Sequence, residues 1–251
     1  MTGAVEAKAP PPLRAMILAA GRGERMRPLT NSTPKPLVQD RGRAMIDWVL
    51  DRLAAARVED VVVNLHHLGE QIEHHLNTCP SPDITFSPEA RLLDTGGGVR
   101  QALARLGERP FYVINGDEVW LDGLTPALQR LAVAWDEAKM DALLLLHPSA
   151  YALGYEGQGD FVMSPMGKLR RRGEREVAPF VFAGVQILHP RLFEGTPEGA
   201  FSLNLIYDKA LEADRLWGLR HDGEWFHVGT PEALEATEEA LHVMNFLADH
   251  R

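Results

Sequence analysis

Cysteine is almost missing: Cys79 is the only one in 251 residues. No intrachain disulfide can form, and a reducing compartment, the cytoplasm, is the expectation. No apolar run approaches the roughly 20 residues that cross a bilayer, so no membrane partner is expected. Positive charge is also short, with 26 Lys and Arg against 35 Asp and Glu and a formal charge of −9. A surface that tracks a nucleic-acid backbone needs a net cationic stripe, which argues against nucleic acid as the main partner. A small phosphate-bearing molecule asks for less, only a local cluster of cations and backbone N–H groups. The first residues, MTGAVEAKAPPPL, lack a cationic start followed by an apolar stretch and do not read as a secretory signal. Their prolines point to a disordered tail over residues 1–13. No repeat at solenoid spacing is present, and nothing in the chain encodes an oligomeric state.

What is present fits one α/β domain over residues 14–251. Hydrophobic residues make up 45% of the chain, enough for a buried core. Short apolar runs at 14–20, 60–65 and 111–115 read as buried strands, with a shorter one at 84–86. Helical spacing marks 44–57, 69–77, 95–106 and 124–138. Strand and helix alternate to about residue 140, which predicts a mostly parallel, Rossmann-like sheet covered on both faces by helices. Residues 142–146, 160–164, 168–171 and 180–188 then read as strands with little helix between them. They predict a β-rich elaboration, a meander or antiparallel lid over the open end of the sheet. The half at 14–140 is expected to bind nucleotide and the half at 141–251 an acceptor. Pro231 opens a last helix to residue 247, with Thr230 as its N-cap.

Three constellations carry chemistry. The first is LAAGRGERMRPLT at 18–30, followed by TPKPL at 33–37. A Gly-rich turn straight after a buried strand lets the backbone of Ala19, Ala20, Gly21 and Gly23 approach a triphosphate closely, while Arg25 and Lys35 neutralise its charge. Met26 stands where a dinucleotide fingerprint needs a third glycine, and no GK[ST] follows, so neither a Rossmann NAD site nor a Walker A loop fits. Arg22, Arg25 and Arg27 alone would also suit a solvated basic loop. The second is Asn115-Gly116-Asp117 at the end of a strand, where a carboxylate can hold a divalent cation against phosphate oxygens. Taken alone, the same string is a turn. Glu118 beside it has no assigned role. The third is Thr95-Gly96-Gly97-Gly98, read as close backbone contact with a flat ligand or as a flexible turn. Asn64, ending a strand, faces the same presumed pocket.

LAAGRGERMRPLT with TPKPLV resembles the signature of the sugar-1-phosphate nucleotidyltransferase family, whose fold is like that of the glycosyltransferase-A enzymes. The resemblance implies that Arg25 and Lys35 grip the phosphates of a nucleoside triphosphate and that Asp117 holds Mg²⁺, with Mn²⁺ the alternative. It also implies that the segment from Thr95 cradles base and ribose. The substrates are then a nucleoside triphosphate and a sugar 1-phosphate. Many relatives carry a second metal-binding Asp in a WxDxGT string, and here Trp225-Phe226-His227-Val228-Gly229-Thr230 puts His227 in its place. Imidazole suits Mg²⁺ poorly. His227 is therefore open to three readings: ligand of a softer ion, hydrogen-bond partner of a phosphate or metal-bound water, or structural residue.

Residues 159–161, 182–190, 192–195 and 199–201 narrow the resemblance to a uridylyl-transferring branch of bacterial peptidoglycan recycling. That branch implies UTP and an amino-sugar 1-phosphate with a lactyl carboxylate. Asp160 and Gly184 fall in these stretches as acceptor-side residues, although Asp160 equally suits a turn cap. Arg170, Arg171 and Arg172 are the nearest basic run for the carboxylate. Guanylyl transfer to mannose or heptose 1-phosphate is the competing specificity, and a non-catalytic regulatory subunit the competing role. His66, His67, His74 and His75 raise a third possibility, a metal-dependent hydrolase, but they lack the i, i+4 spacing of a zinc helix.

Overall fold

The computed structural model describes residues 10–79 and 81–249. The expected tail covers residues 1–13, of which 1–9 lie outside the described residues. By Leu13 the chain is already tied down, its carbonyl accepting from Glu59 N–H at 2.8 Å. The first half runs β1 (Arg14–Leu18), β2 (Gln39–Asp40), β3 (Arg43–Ala44), α1 (Met45–Ala55), β4 (Asp60–Leu65), α2 (Gly69–Leu76), β5 (Asp83–Pro88), α3 (Asp94–Leu106) and β6 (Phe111–Asn115). The second half runs β7 (Val119–Leu121), α4 (Ala127–Ala134), β8 (Ala142–Pro148), β9 (Phe161–Met163), β10 (Leu169–Arg171), β11 (Phe180–Leu188), α5 (Leu203–Glu212), β12 (Leu216–Arg220), β13 (Glu224–Phe226) and α6 (Pro231–Asp249).

A nine-stranded sheet organises the molecule in the order β10-β9-β11-β6-β1-β4-β5, with β8 pairing β11 and β12 beside that path. Strands β6, β1, β4 and β5 are mutually parallel. The period-2 alternation of a strand explains why β1 is apolar at every position after Arg14. Ala15 and Ile17 pack on the face covered by Val49, Leu53, Ile72 and Leu131, while Met16 packs on the opposite face with Val99, Leu106, Ile206 and Ala210. Both faces are covered, as a parallel sheet requires. From β1 the chain passes outward through β4 and β5, then returns to the other side of β1 as β6. The switch point, where ligands gather in such sheets, lies at the carboxyl ends of β1 and β6.

One expectation for the second half needs correction. The antiparallel strands are no lid: β11 pairs directly with β6, Val185 opposite Ile114, and so widens the same sheet. Residues 142–188 hold no α-helix, as expected, and the helix that was not foreseen, α5, follows them. Its Leu203, Ile206, Tyr207 and Ala210 recur at helical spacing and are buried, and the Ser202 side chain caps it by accepting from Asn204 N–H. The Thr230 cap of α6 is as expected, with Thr230 Oγ1 accepting from Ala233 N–H at 3.2 Å. Among the described residues no helix is long and apolar enough to cross a membrane.

Candidate active site

The carboxyl ends of β1 and β6, the loop after β1 and the turn before α3 enclose a cleft of about 510 Å³. Two glycines shape its loop in different ways. A Cβ on Gly21 would meet nothing within 4 Å, so its backbone lies open to the cleft. Gly23 has φ +61, and a Cβ there would fall 2.9 Å from Thr30 Cγ2 and 3.1 Å from Lys35 Cβ. Its carbonyl accepts from Thr30 Oγ1 at 2.7 Å and from Met26 N–H at 2.9 Å. Met26 is fully buried and anchors this short turn, leaving Arg25 exposed along the cleft.

Lys35 opens a second short turn between Pro34 and Pro36, and its Nζ forms an ion pair with Asp117 Oδ2. Asp117 is fixed from the other side, because Gly116 N–H donates to Leu18 O at 2.9 Å and ties the end of β6 to β1. The side chains of Lys35 and Asp117 are 14% and 25% exposed, partly shielded yet still open to a ligand. Arg25 and Lys35 thus line one cleft with the sequence-distant Asp117 and with Ala19, Ala20, Gly21, Gly23 and Asn115.

The remaining expected residues divide. Asn64 lines the cleft, but its amide is committed. Its Oδ1 accepts from Ala19 N–H at 2.7 Å, and its Nδ2 donates to Glu89 Oε1 at 2.7 Å. It braces the pocket floor rather than presenting its amide to a base. Thr95 also lines the cleft, with its Oγ1 accepting from Leu203 N–H at 2.9 Å. Gly96 and Gly97 are a correction: they are buried and do not line the cleft. Their N–H groups both donate to Phe201 O, at 2.9 and 3.0 Å. A Cβ on Gly96 would run into the Phe201 ring, and one on Gly97 would overlap the Gly199 carbonyl oxygen. The close approach read from the glycines is real, but the chain itself makes it.

On the acceptor side, Asp160 Oδ2 accepts from Phe182 N–H at 2.9 Å, so its carboxylate ties down the β11 backbone 22 residues on. Gly184, φ +70, sits where the β11–β8 register shifts, between Phe182 and Gln186. Arg170 is paired with Glu176 and Arg171 with Asp208. Arg172 donates to Gln158 Oε1 and to the Gly173 and Glu176 carbonyls, so the basic run is spent locally. His66 and His67 hold backbone carbonyls of Glu89 and Thr30, and His75 pairs with Asp47. Among the described residues no three His, Cys, Asp or Glu side chains could hold a metal together, which removes the basis for a hydrolase cluster.

His227 packs edge-on against Tyr155, ring centroids 5.8 Å apart, and tilted on Trp225 at 5.7 Å. Burial, then the charges of Arg25 and Lys35, hold its pKa below the ordinary histidine value, against the opposing pull of Asp117 and Asp160. A neutral imidazole therefore shares the field of the three cleft residues. A magnesium-type ion asks for oxygen donors and takes only one or two from protein when phosphates supply others. Asp117 offers such a donor at the cleft wall, so the residues fit an ion shared with a substrate rather than a protein cage.

Known proteins agree with this geometry. The model of the MobA-like NTP transferase domain matches residues 15–198. The N-acetylmuramate alpha-1-phosphate uridylyltransferase of Caulobacter vibrioides is 42% identical over 235 residues, covering 92% of this chain and 97% of its own. Its namesake from Neisseria meningitidis serogroup B is 37% identical over 222 residues, covering 87% and 94%. The chain is a sugar-1-phosphate nucleotidyltransferase of the MobA-like NTP transferase family. A mannose-1-phosphate guanyltransferase of Hypocrea jecorina is more distant, 28% identical over 88% of this chain and 62% of its own. In fold, a UDP-glucose pyrophosphorylase solved with UDP-glucose superposes with a TM-score of 0.74 at 15% identity, covering 92% of this chain and 98% of that one. Members of the family are typically dependent on a divalent metal.

Sequence reasoning passed over Leu92 and Asp94, which line the cleft just before the glycine triplet. Leu92 remains 37% exposed there, and an apolar side chain left open at a cleft wall is a signal no periodicity carries. It also left Glu118 without a role. Burial, then Asp117 beside it, pushes the Glu118 carboxyl up to about 8, while hydrogen bonds from Asn115 and Trp225 oppose the shift. Two adjacent carboxylates after a buried strand were the available hint.

Proposed function

We propose that this chain transfers UMP from UTP to N-acetylmuramic acid α-1-phosphate, yielding UDP-N-acetylmuramate and pyrophosphate in the cytoplasm as a step of peptidoglycan recycling. The observation that carries the reading is the convergence of Arg25, Lys35 and Asp117 on the one cleft at the sheet's switch point. The choice of uracil and muramate rests on the identity of 42% and 37% to uridylyltransferases against 28% to a guanyltransferase.

In the reaction an oxygen of the sugar phosphate attacks the α-phosphorus of UTP. The bond from that phosphorus to the oxygen bridging to the β-phosphate breaks, and pyrophosphate leaves with the electron pair. A phosphate monoester dianion is already nucleophilic, so no general base is needed, and catalysis reduces to alignment and charge neutralisation. Gly21, with Ala19 and Ala20, lets the main chain close on the triphosphate. Arg25 and Lys35 neutralise it, Lys35 exchanging the Asp117 carboxylate for a phosphate oxygen as the nucleotide enters. Asp117 would hold Mg²⁺, or Mn²⁺ in its place, whose chemistry is to screen phosphate charge as it builds on the leaving oxygens. Leu92 gives the base an apolar wall, and Asn115 keeps the end of β6 in place. Neutral His227 hydrogen-bonds the acceptor phosphate. Residues 14–140 form the nucleotide half and residues 141–251 the acceptor half.

The test is a pyrophosphate-release matrix of four nucleoside triphosphates against several sugar 1-phosphates. Release is expected from UTP only when N-acetylmuramic acid 1-phosphate is added. Preferred use of GTP with mannose 1-phosphate would replace the specificity. Release without an acceptor would indicate a hydrolase, and no release in any well would leave only a binding role.

A further inference from the structure

Glu118 sits behind the cleft wall, where the Asn115–Asp117 turn, Trp225 and Gly184 meet. Its Oε1 accepts from Asn115 Nδ2 at 2.8 Å, an i, i+3 bond that closes the turn presenting Asp117. Its Oε2 accepts from the indole Nε1 of Trp225 at 2.8 Å, across 107 residues of sequence. On the third side lies Gly184, whose φ of +70 and missing side chain leave the space the carboxyl fills, since a Cβ there would overlap it. The tie matters because of what it joins. β7 and β13 form a separate two-stranded ribbon of three registered pairs, the last being Phe226 opposite Val119. Glu118 and His227 are the residues that flank this last pair on the two strands. A ribbon this short has little stability of its own and needs an anchor to keep its angle to the main sheet.

We propose that Glu118 is a positioning residue, its carboxyl group tying the Asn115–Asp117 turn to the Trp225–His227 segment and so setting where Asp117 stands relative to His227. The proposal rests on the reading of Asp117 as the cation-holding residue. Glu118 acts through its two donors and need not touch substrate. A tether makes a distinctive demand: two polar atoms of the right reach, not a charge. Gln meets it, with its oxygen accepting from Trp225 Nε1 and its amide donating to Asn115 Oδ1 once that amide turns over.

The experiment compares Glu118→Gln, Glu118→Ala, Trp225→Phe and Asp117→Asn. Three readouts are taken: kcat, Mn²⁺ affinity of the UTP-bound protein by electron paramagnetic resonance, and the indole ¹H–¹⁵N resonance of Trp225. Glu118→Gln is expected to keep kcat and Mn²⁺ affinity within about threefold and to keep the indole proton hydrogen-bonded. Glu118→Ala is expected to lose tenfold or more in both and to shift the indole resonance. Trp225→Phe keeps an aromatic ring but removes the donor, and is expected to lose in the same direction. Wild-type kcat and Mn²⁺ affinity in Glu118→Ala would overturn the proposal, as would a Gln variant as poor as the Ala one. If Glu118→Ala does not fold, Trp225→Phe decides, and unchanged values there overturn the proposal. Asp117→Asn separates the two readings: if it still binds Mn²⁺ and turns over, the role of Asp117 falls. If it is dead while Glu118→Ala is silent, only the tether falls.

Discussion

Replacing Gly97 by Ala decides between two accounts of the glycine triplet. If the triplet cradles a nucleotide, the added methyl group weakens UTP binding and leaves the fold alone. The structure points the other way, because the new Cβ would overlap the Gly199 carbonyl oxygen and lie 3.1 Å from Leu93 Cβ. Overpacking a closed interior typically costs about 1–3 kcal/mol. A backbone oxygen cannot rotate aside, which puts this site near the upper end, roughly 3 kcal/mol. Gly97 lies in the first turns of α3, where alanine returns at most about 1 kcal/mol of helix propensity. The net loss is then about 2 kcal/mol, or a drop in Tm of roughly 4–8 °C for a chain of this size. The control is Gly21→Ala, where the methyl group meets no protein atom within 4 Å and enters the cleft instead. Its Tm should stay within about 1 °C while the KM for UTP rises about tenfold, equivalent to roughly 1.4 kcal/mol of lost binding. The assay pairs thermal unfolding with steady-state kinetics at a temperature where both variants are folded. A Gly97→Ala protein of unchanged Tm with a tenfold weaker UTP response would refute the packing account and restore the cradle.

Two further predictions concern the ion pair and the buried histidines. Lys35→Ala and Asp117→Ala should each lower kcat a hundredfold or more, about 3 kcal/mol, at saturating UTP and Mg²⁺, with wild-type turnover in either variant removing that residue from the mechanism. His147 and His221 are 2% exposed, and burial, joined for His147 by the neighbouring His221, holds both below the ordinary value of 6.5. The unfolded chain therefore binds more protons than the fold as pH drops below about 6.5, so stability is complete above that pH and is lost beneath it, by at most roughly 1.4 kcal/mol per pH unit for each histidine. Urea unfolding at pH 7.5 and 5.5 should show a smaller difference in the His147→Gln, His221→Gln double variant than in the wild type, and an equal difference would acquit the pair.

The first half of the fold was legible because its strands are buried on both faces. A strand in that position is apolar on both faces over its centre, so the VVV of 61–63 and the FYVI of 111–114 stand out, and the runs 60–65 and 111–115 have the bounds found for β4 and β6. The second half hides its order. β12, LWGLR, is neither a clean apolar run nor a clean alternation, and β7 and β13 have three residues each. Nothing local in 180–188 reveals that β11 joins β6 instead of folding over it, since the partner is chosen by long-range packing. The same split holds for the cleft. Gly21, Arg25 and Lys35 stand within fifteen positions of one another, and local loop chemistry presents them together. Glu118 and Trp225 meet only because the ribbon folds back.

Glycine gives the clearest case of what a sequence can and cannot say about a site. Three glycines in a row report that something must come close to the backbone, and this much was right. They carry no information about what comes close. At Gly21 nothing of the protein is near, and the residue is exposed at the cleft. At Gly96 and Gly97 the visitor is the stretch from Gly199 to Phe201, about a hundred residues away. Gly98 carries the point further, for a Cβ there would fall 2.8 Å from both Asn64 Nδ2 and Glu89 Oε1, the brace under the pocket floor. A side chain at any of the three would therefore disturb nucleotide binding without touching nucleotide, by moving the Asn64 and Leu93 backbone ties that shape the cleft. Loss of activity on mutating a glycine motif cannot by itself distinguish a cradle from a foundation. Stability and KM have to be read together, because only a foundation moves Tm.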